Sequence, residues 1–202
     1  MIGFQFDVSD ASRAAEKLAA NEKQFQAAIS GALTEAGKDG LRLIKQKVSA
    51  STKVSQKRLG VRIKMRRYLK DGRVVLWVGA DPVALDSLGT VRQNTRSAMA
   101  GKITRRGAFL AHIAGGGLRA FIREKSAHYK EDQYGDVAYG VGYKKSAWGS
   151  MKSRFPVRLA VVRIDDEVET AMGSLDIAMQ ENFDKHFLRR LNYEVVVKGA
   201  RS

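Results

Sequence analysis

Two alternating runs meet at Lys70-Asp71-Gly72, and nothing else in the chain constrains its fold as strongly. Before the junction, Val61, Ile63 and Met65 point one way and Arg62, Lys64 and Arg66 the other, as successive side chains do on a strand. After it, Val74, Leu76 and Val78 are opposed to Val75 and Trp77. Asp-Gly between alternating segments favours a tight hairpin. The pattern predicts an antiparallel pair with one face for a core and a positive row on the other. Between Asp39 and Asp71 there is no acidic residue, while Arg42, Lys45, Lys47, Lys53, Lys57, Arg58, Arg62, Lys64, Arg66, Arg67 and Lys70 all fall in that interval. Alternation alone also describes an ordinary solvated strand face. The missing carboxylates point further, to a surface for a polyanion or an acidic partner.

Upstream, Ile2, Phe4 and Phe6 alternate with Gly3 and Gln5, which predicts a short first strand. Ser9 or Asp10 is placed to cap a helix that carries Ala14 and Leu18 on its apolar side. Phe25, Ile29, Ala32, Leu33, Ala36, Leu43, Ile44 and Val48 recur at three- and four-residue steps, so a long amphipathic helix is expected from about Glu22 to Ser49. Gly31, Gly37 and Gly40 weaken it, each by about 1 kcal/mol relative to alanine. They mark either close packing or a break near Gly37–Gly40.

Downstream, Val83 to Leu88 is a brief apolar run. Thr90 to Gly107 shows no clear period and holds Arg92, Arg96, Lys102, Arg105 and Arg106, which predicts a long mobile basic loop over about 90–107. Ala108 to Ile113 and Leu118 to Arg123 read as two strands joined by Gly115-Gly116-Gly117. An irregular excursion of about 126–153 follows, richest in glycine and tyrosine from Tyr134 to Trp148. Val157 to Ile164 is compact and β-branched, as a buried strand is. Asp165-Asp166-Glu167 opens a last helix whose stripe is Val168, Met172, Leu175, Met179, Phe183, Phe187 and Leu191. Tyr193 to Lys198 is a candidate terminal strand. The expected fold is α+β: a mostly antiparallel sheet in one domain, with a long N-terminal helix and a C-terminal helix packed on it.

The net charge of +15 matters here, because self-repulsion of that size disfavours compaction unless negative charge lies close by. Nucleic acid, an acidic protein surface and an anionic membrane are the candidates. No apolar run approaches the length that spans a bilayer, and Met1 to Val8 alternates and carries Asp7, unlike a secretory signal. Without cysteine there is no disulfide, thiolate chemistry or zinc–cysteine site.

The residues offer little chemistry. His112, His128 and His186 are not at metal-binding spacing, and His112 reads as a partly buried strand histidine. Asp165, Asp166, Glu167 and Glu169 suit a helix start better than a magnesium site. The glycine run lacks the lysine and Ser/Thr of a phosphate loop, and no serine sits in a nucleophile elbow. No catalytic residue and no cofactor is implied. Tyr68, Trp77, Tyr129, Tyr134, Tyr139, Tyr143 and Trp148 are interleaved with lysine and arginine, a composition for stacking on bases and contacting phosphates. The candidate DNA- or partner-contacting residues are Lys53, Lys57, Arg58, Arg62, Lys64, Arg66, Arg67, Arg92, Arg96, Lys102, Arg105 and Arg106. The acids Asp165, Asp166, Glu167 and Glu169 are the candidate subunit contacts. Their sign against the basic body suits head-to-tail contact between copies, and suits an intramolecular salt-bridge face as well.

The order of these features is itself informative. A helical start leads to Thr52-Lys53-Val54, then the basic run Lys57-Arg58 through Arg67, a hairpin strand with Val74-Val75 and a basic segment. Gly107-Ala108-Phe109, Phe121-Ile122-Arg123 and Phe155-Pro156-Val157 come next, and Asn182-Phe183 to Arg189-Arg190-Leu191 closes the set. From about Glu22 to Leu191 the chain resembles the minor tail protein Z, or tail completion, family of tailed phages. That resemblance implies a structural virion protein at the head-proximal end of the tail or neck, assembled in the bacterial host cytoplasm. It implies no catalysis. It also implies a ring of copies, most often sixfold, which completes the tail and helps join it to the head or position the DNA end. Partners would be the tail terminator, the tail tube or neck and connector proteins, and phage double-stranded DNA; no membrane is implied. The alternative is a sequence-independent DNA-binding protein. Ile2 to Phe6 and Tyr134 to Trp148 have no counterpart in the resemblance.

Overall fold

The chain begins with β1 (Ile2–Gln5), short as its alternation predicts, and continues into α1 (Ser9–Lys17). The cap of α1 is not Ser9 or Asp10 itself: the Asp7 carboxylate accepts the Ser9 N–H at 2.8 Å. The computed structural model describes residues 2–112, 117–137 and 157–198. The chain, expected as one domain, parts into two compact units, Met1–Val48 with Leu59–Gly79 and Glu167–Ser202, and Ser49–Arg58 with Ala80–Asp166.

In the first unit, α2 (Glu22–Thr52) runs unbroken through Gly37 and Gly40. After α3 (Gln56–Gly60), β2 (Ile63–Tyr68) and β3 (Arg73–Val78) form a hairpin as expected, Ile63 opposite Val78 and Tyr68 opposite Arg73, but a 3-10 turn, Leu69–Asp71, joins them in place of the tight Asp-Gly turn. Gly72 closes the turn at φ +58°, a left-handed conformation natural to glycine. Val61 does not belong to the strand. The turn after α3 takes it, with the Arg62 N–H bonded to Leu59 O, and leaves Val61 71% exposed. β1 adds to the other edge of β3, so the sheet order is β1-β3-β2, antiparallel throughout.

The second unit starts its strands with β4 (Val83–Ala84). The span expected as a mobile loop over 90–107 is a three-stranded meander: β5 (Val91–Asn94), β6 (Ser97–Ala100) and β7 (Ile103–Arg106). Its strands have four residues each, and its buried positions are mostly small: Ser97, Ala98, Ala100 and Ile103. Periods that short, marked by alanine and serine rather than large apolar residues, leave no readable alternation. β8 (Ala108–His112) and β9 (Leu118–Arg123) pair as expected, with His112 exposed rather than partly buried. The described part of the excursion, as far as Val137, is turns and bends around the single helical turn α4 (Glu131–Tyr134). Its later part, and with it Tyr139, Tyr143, Trp148 and Phe155-Pro156, lies outside the described residues, as do Gly115 and Gly116.

Val157 to Ile164 is two strands rather than one, because the Ala160 backbone bridges two sheets. Its N–H bonds Ala120 O and its carbonyl accepts from Leu85. So β10 (Val157–Leu159) pairs with β9, and β11 (Val161–Val162) with β4. Phe121, Ile122, Tyr134, Val137, Leu159 and Val161 form the core of this unit.

The last helix is also two: α5 (Asp165–Gly173) and α6 (Asp176–Asn192). The chain turns at Ser174, whose hydroxyl caps back onto Ala171 O, and drives Leu175 fully into the core. The candidate strand Tyr193–Lys198 instead extends α6 as π-helical turns, held by a Lys198–Glu194 pair at 2.9 Å. α6 packs in the first unit through Phe183 on Phe6 and Phe187 on Phe25, ring centroids 4.8 and 5.9 Å apart. The glycines of α2 serve this packing: a Cβ at Gly40 would lie 2.6 Å from Met179 Sδ and 2.9 Å from Leu76 Cδ1. The α+β class and the two named helices stand as expected.

Candidate polyanion and subunit-contact surfaces

Strand alternation and register decide what each basic residue can meet. On β2, Ile63, Met65 and Arg67 share the core face, opposite Val78, Leu76 and Val74. Lys64, Arg66 and Tyr68 share the outer face, opposite Trp77, Val75 and Arg73. Lys64 and Arg66 are exposed, as the alternation predicted. Arg67 sits at the end of the core face, where Nη1 donates to Thr34 Oγ1 at 3.0 Å. Arg62 precedes the strand and is half-buried. The Lys64 ammonium lies 5.9 Å from the Trp77 ring centroid, and the Arg73 guanidinium 4.7 Å from that of Tyr68.

Lys53, Lys57 and Arg58 surround the end of α2 and the start of α3, all exposed. Lys53 ends α2 at φ +61°, its N–H bonded to Ser49 O. The meander sets Arg92 opposite Met99, which is opposite Thr104, and Asn94 opposite Ser97, which is opposite Arg106. Arg92 and Arg106 therefore share one face, with Lys102 at one turn and Arg96 at the other. Arg105 falls on the opposite face, where Nε donates to Val161 O at 2.9 Å. It is a structural residue of the second unit. Lys53, Lys57, Arg58, Arg66, Arg92, Arg96, Lys102 and Arg106 have no carboxylate partner among the described residues.

The acids divide as well. Asp165 is taken internally: Arg163 Nη2 donates to its Oδ2 at 2.5 Å, and Arg163 Nη1 reaches Asp136 Oδ1 at 2.8 Å and Asp132 O at 3.1 Å. The Arg163 hydrogen bond, outweighing the cost of burial, holds the Asp165 carboxyl below the usual carboxylate range. The backbone N–H groups of Asp165 and Asp166 add to it, as at a helix start. Asp166 and Glu169 are exposed, Glu167 is half-buried, and none of the three has a basic partner among the described residues. From Asp165 to Asp184 the sequence has seven acids and no lysine or arginine. Asp176 and Glu181, not among the sequence candidates, extend the exposed acidic row along α6. Ile177 and Leu188 are 77% and 54% exposed beside it.

Some expected stacking residues are core instead. Tyr134 is 2% exposed and stacks on Tyr129, centroids 5.8 Å apart; burial pushes its hydroxyl pKa up. Tyr68 and Trp77 stay 37% and 41% exposed. Arg73 is the outer-face residue that reading the alternation missed. A two-residue Asp71-Gly72 turn would set it opposite Lys70; the 3-10 turn Leu69–Asp71 lengthens the connection and sets it opposite Tyr68 instead. Among the described residues no group of three His, Asp or Glu is placed to hold a metal ion, and no helix is long and apolar enough to cross a membrane. Compared with models of known families, with curated proteins and with solved structures, the chain matches none.

Proposed function

We propose that this protein is a structural component of a tailed-phage particle, at the head-proximal end of the tail, whose copies close into a ring. The observation that carries the reading is the segregation of unpaired charge. Among the described residues, the meander offers Arg92, Lys102 and Arg106 without counter-acids, and α5 and α6 offer Asp166, Glu169, Asp176 and Glu181 without counter-bases. Surfaces of opposite sign at different places on one chain favour a heterologous contact, and such contacts make rings when the rotation closes. The exposed Ile177 and Leu188 give that contact an apolar component beside its acidic row. The ordered motifs from Glu22 to Leu191 supply the phage class. The role is scaffolding without catalysis, with tail terminator, tube or neck proteins as neighbours and the DNA end close by.

Native mass spectrometry of the purified protein should give a closed oligomer, with six copies expected from the axial symmetry of such tails. Electron microscopy of particles should find several copies at the top of the tail. Copies confined to infected-cell extracts and missing from virions would overturn the reading.

A further inference from the structure

The outer face of the β1-β3-β2 sheet carries a feature that ring closure does not use. The register sets Lys64 opposite Trp77, Arg66 opposite Val75, and Tyr68 opposite Arg73, with Gln5 beside Arg73 on the third strand. Three cations and two aromatic rings share the face, and among the described residues of the three strands no carboxylate does. Trp77 is 41% exposed and Tyr68 37% exposed, each with a cation of the same face beside its ring. Arg73 has no carboxylate partner among the described residues; its Nε is buried without a hydrogen bond, and its guanidinium lies against the Tyr68 ring.

We infer that this face binds single-stranded nucleic acid without reading its sequence. Bases stack on Trp77 and Tyr68, while Lys64, Arg66 and Arg73 meet the phosphates. Flat π-faces distinguish this partner from the other anions. A duplex keeps its bases inside and offers the face only phosphates, for which the rings add nothing. An acidic protein patch would use the cations and leave the rings idle. Trp77 and Arg73 are four residues apart on β3, so with a rise of about 3.4 Å per residue Trp77 and Tyr68 stand about 14 Å apart. At a stacked repeat of about 3.4 Å that is about four bases. The rings therefore hold two separate bases, with Arg66 between them for the intervening backbone.

The test uses the full chain and a fluorescein-labelled oligothymidine of about 16 nucleotides, read by anisotropy. A second readout uses Trp148→Phe, which leaves Trp77 the only tryptophan. Expected are quenching of Trp77 emission on binding, a loss of affinity of about 10-fold or more in Trp77→Ala and in Tyr68→Ala, and recovery of most of it in Trp77→Phe. Lys64→Glu with Arg66→Glu should weaken binding and flatten its salt dependence. The inference is overturned by no binding, by unquenched Trp77 in the complex, or by alanine variants that bind as the wild type does. Tighter binding of a duplex of equal length, or equal competition by polyglutamate, also overturns it. Trp77→Phe and the quenching readout keep the test decisive if an alanine variant folds poorly. None of these results depends on the oligomeric state, so they stand apart from the ring reading.

Discussion

Gly40→Ala sets two effects of opposite sign against each other in the middle of α2. In a free helix the change is stabilising by about 1 kcal/mol, because glycine gives up more backbone freedom. At this position the new Cβ would lie 2.6 Å from Met179 Sδ and 2.9 Å from Leu76 Cδ1. Both side chains are 0% exposed, so neither has solvent to move into. Overpacking of that kind costs about 1–3 kcal/mol. With the middle of that range the net is a loss of about 1 kcal/mol, or about 2–4 °C in Tm for a chain of this length. The assay is urea and thermal unfolding followed by circular dichroism. Gly173→Ala is the control, since nothing lies within 4 Å of its would-be Cβ, and it should leave the midpoint unchanged or raise it. If the two units unfold separately, Gly40→Ala should move only one transition. A raised midpoint for Gly40→Ala would refute the close approach of α2 to the sheet and α6.

Three further outcomes follow from single contacts. Ala19 ends α1 at φ +50° and is exposed, so Ala19→Gly should gain about 1 kcal/mol in urea melts by removing the cost of a left-handed alanine. Burial, with Asp10 and Asp7 nearby, raises the Asp184 pKa against the opposing Gln180 hydrogen bond. The folded state thus prefers Asp184 protonated, and Asp184→Asn should raise Tm at pH 7, with the gain shrinking as pH falls through the carboxylate range. For Asp165 the sign is reversed: its lowered pKa contributes stability above the ordinary carboxylate value of about 3.9, lost as pH falls through the lower folded value. Melts of Arg163→Met should differ most from wild type at neutral pH and converge with it in acid.

The two faces of the hairpin were legible because its alternation is long, but its register was not: a two-residue Asp71-Gly72 turn would set Lys70 opposite Arg73, and the 3-10 turn Leu69–Asp71 sets Tyr68 there. The long helix was legible from its stripe, but its glycines were not: sequence shows a weak helix former, not the Met179 and Leu76 atoms that require one. The meander escaped because its inward residues are alanine, serine and a single isoleucine. The split of the last helix escaped because Leu175 keeps the stripe while the backbone turns at Ser174. Of the basic candidates, position on the chain alone could not separate Arg105, committed to Val161 O, from its neighbour Arg106, which is exposed. That separation needs the register of β6 with β7. The acids likewise needed geometry, since only the Arg163 fork distinguishes Asp165 from Asp166.

Ring closure by complementary charge is tested most directly by swapping signs. One variant carries Arg92→Glu and Arg106→Glu, the other Glu169→Lys and Glu181→Lys, and native mass spectrometry at low salt reads each alone and both mixed. Each variant alone should stay monomeric, because like charges face each other at every contact, and the mixture should recover an oligomer with the two chains in equal number. Variants that assemble alone as the wild type does, or a mixture that stays monomeric while the wild type assembles, would contradict the account.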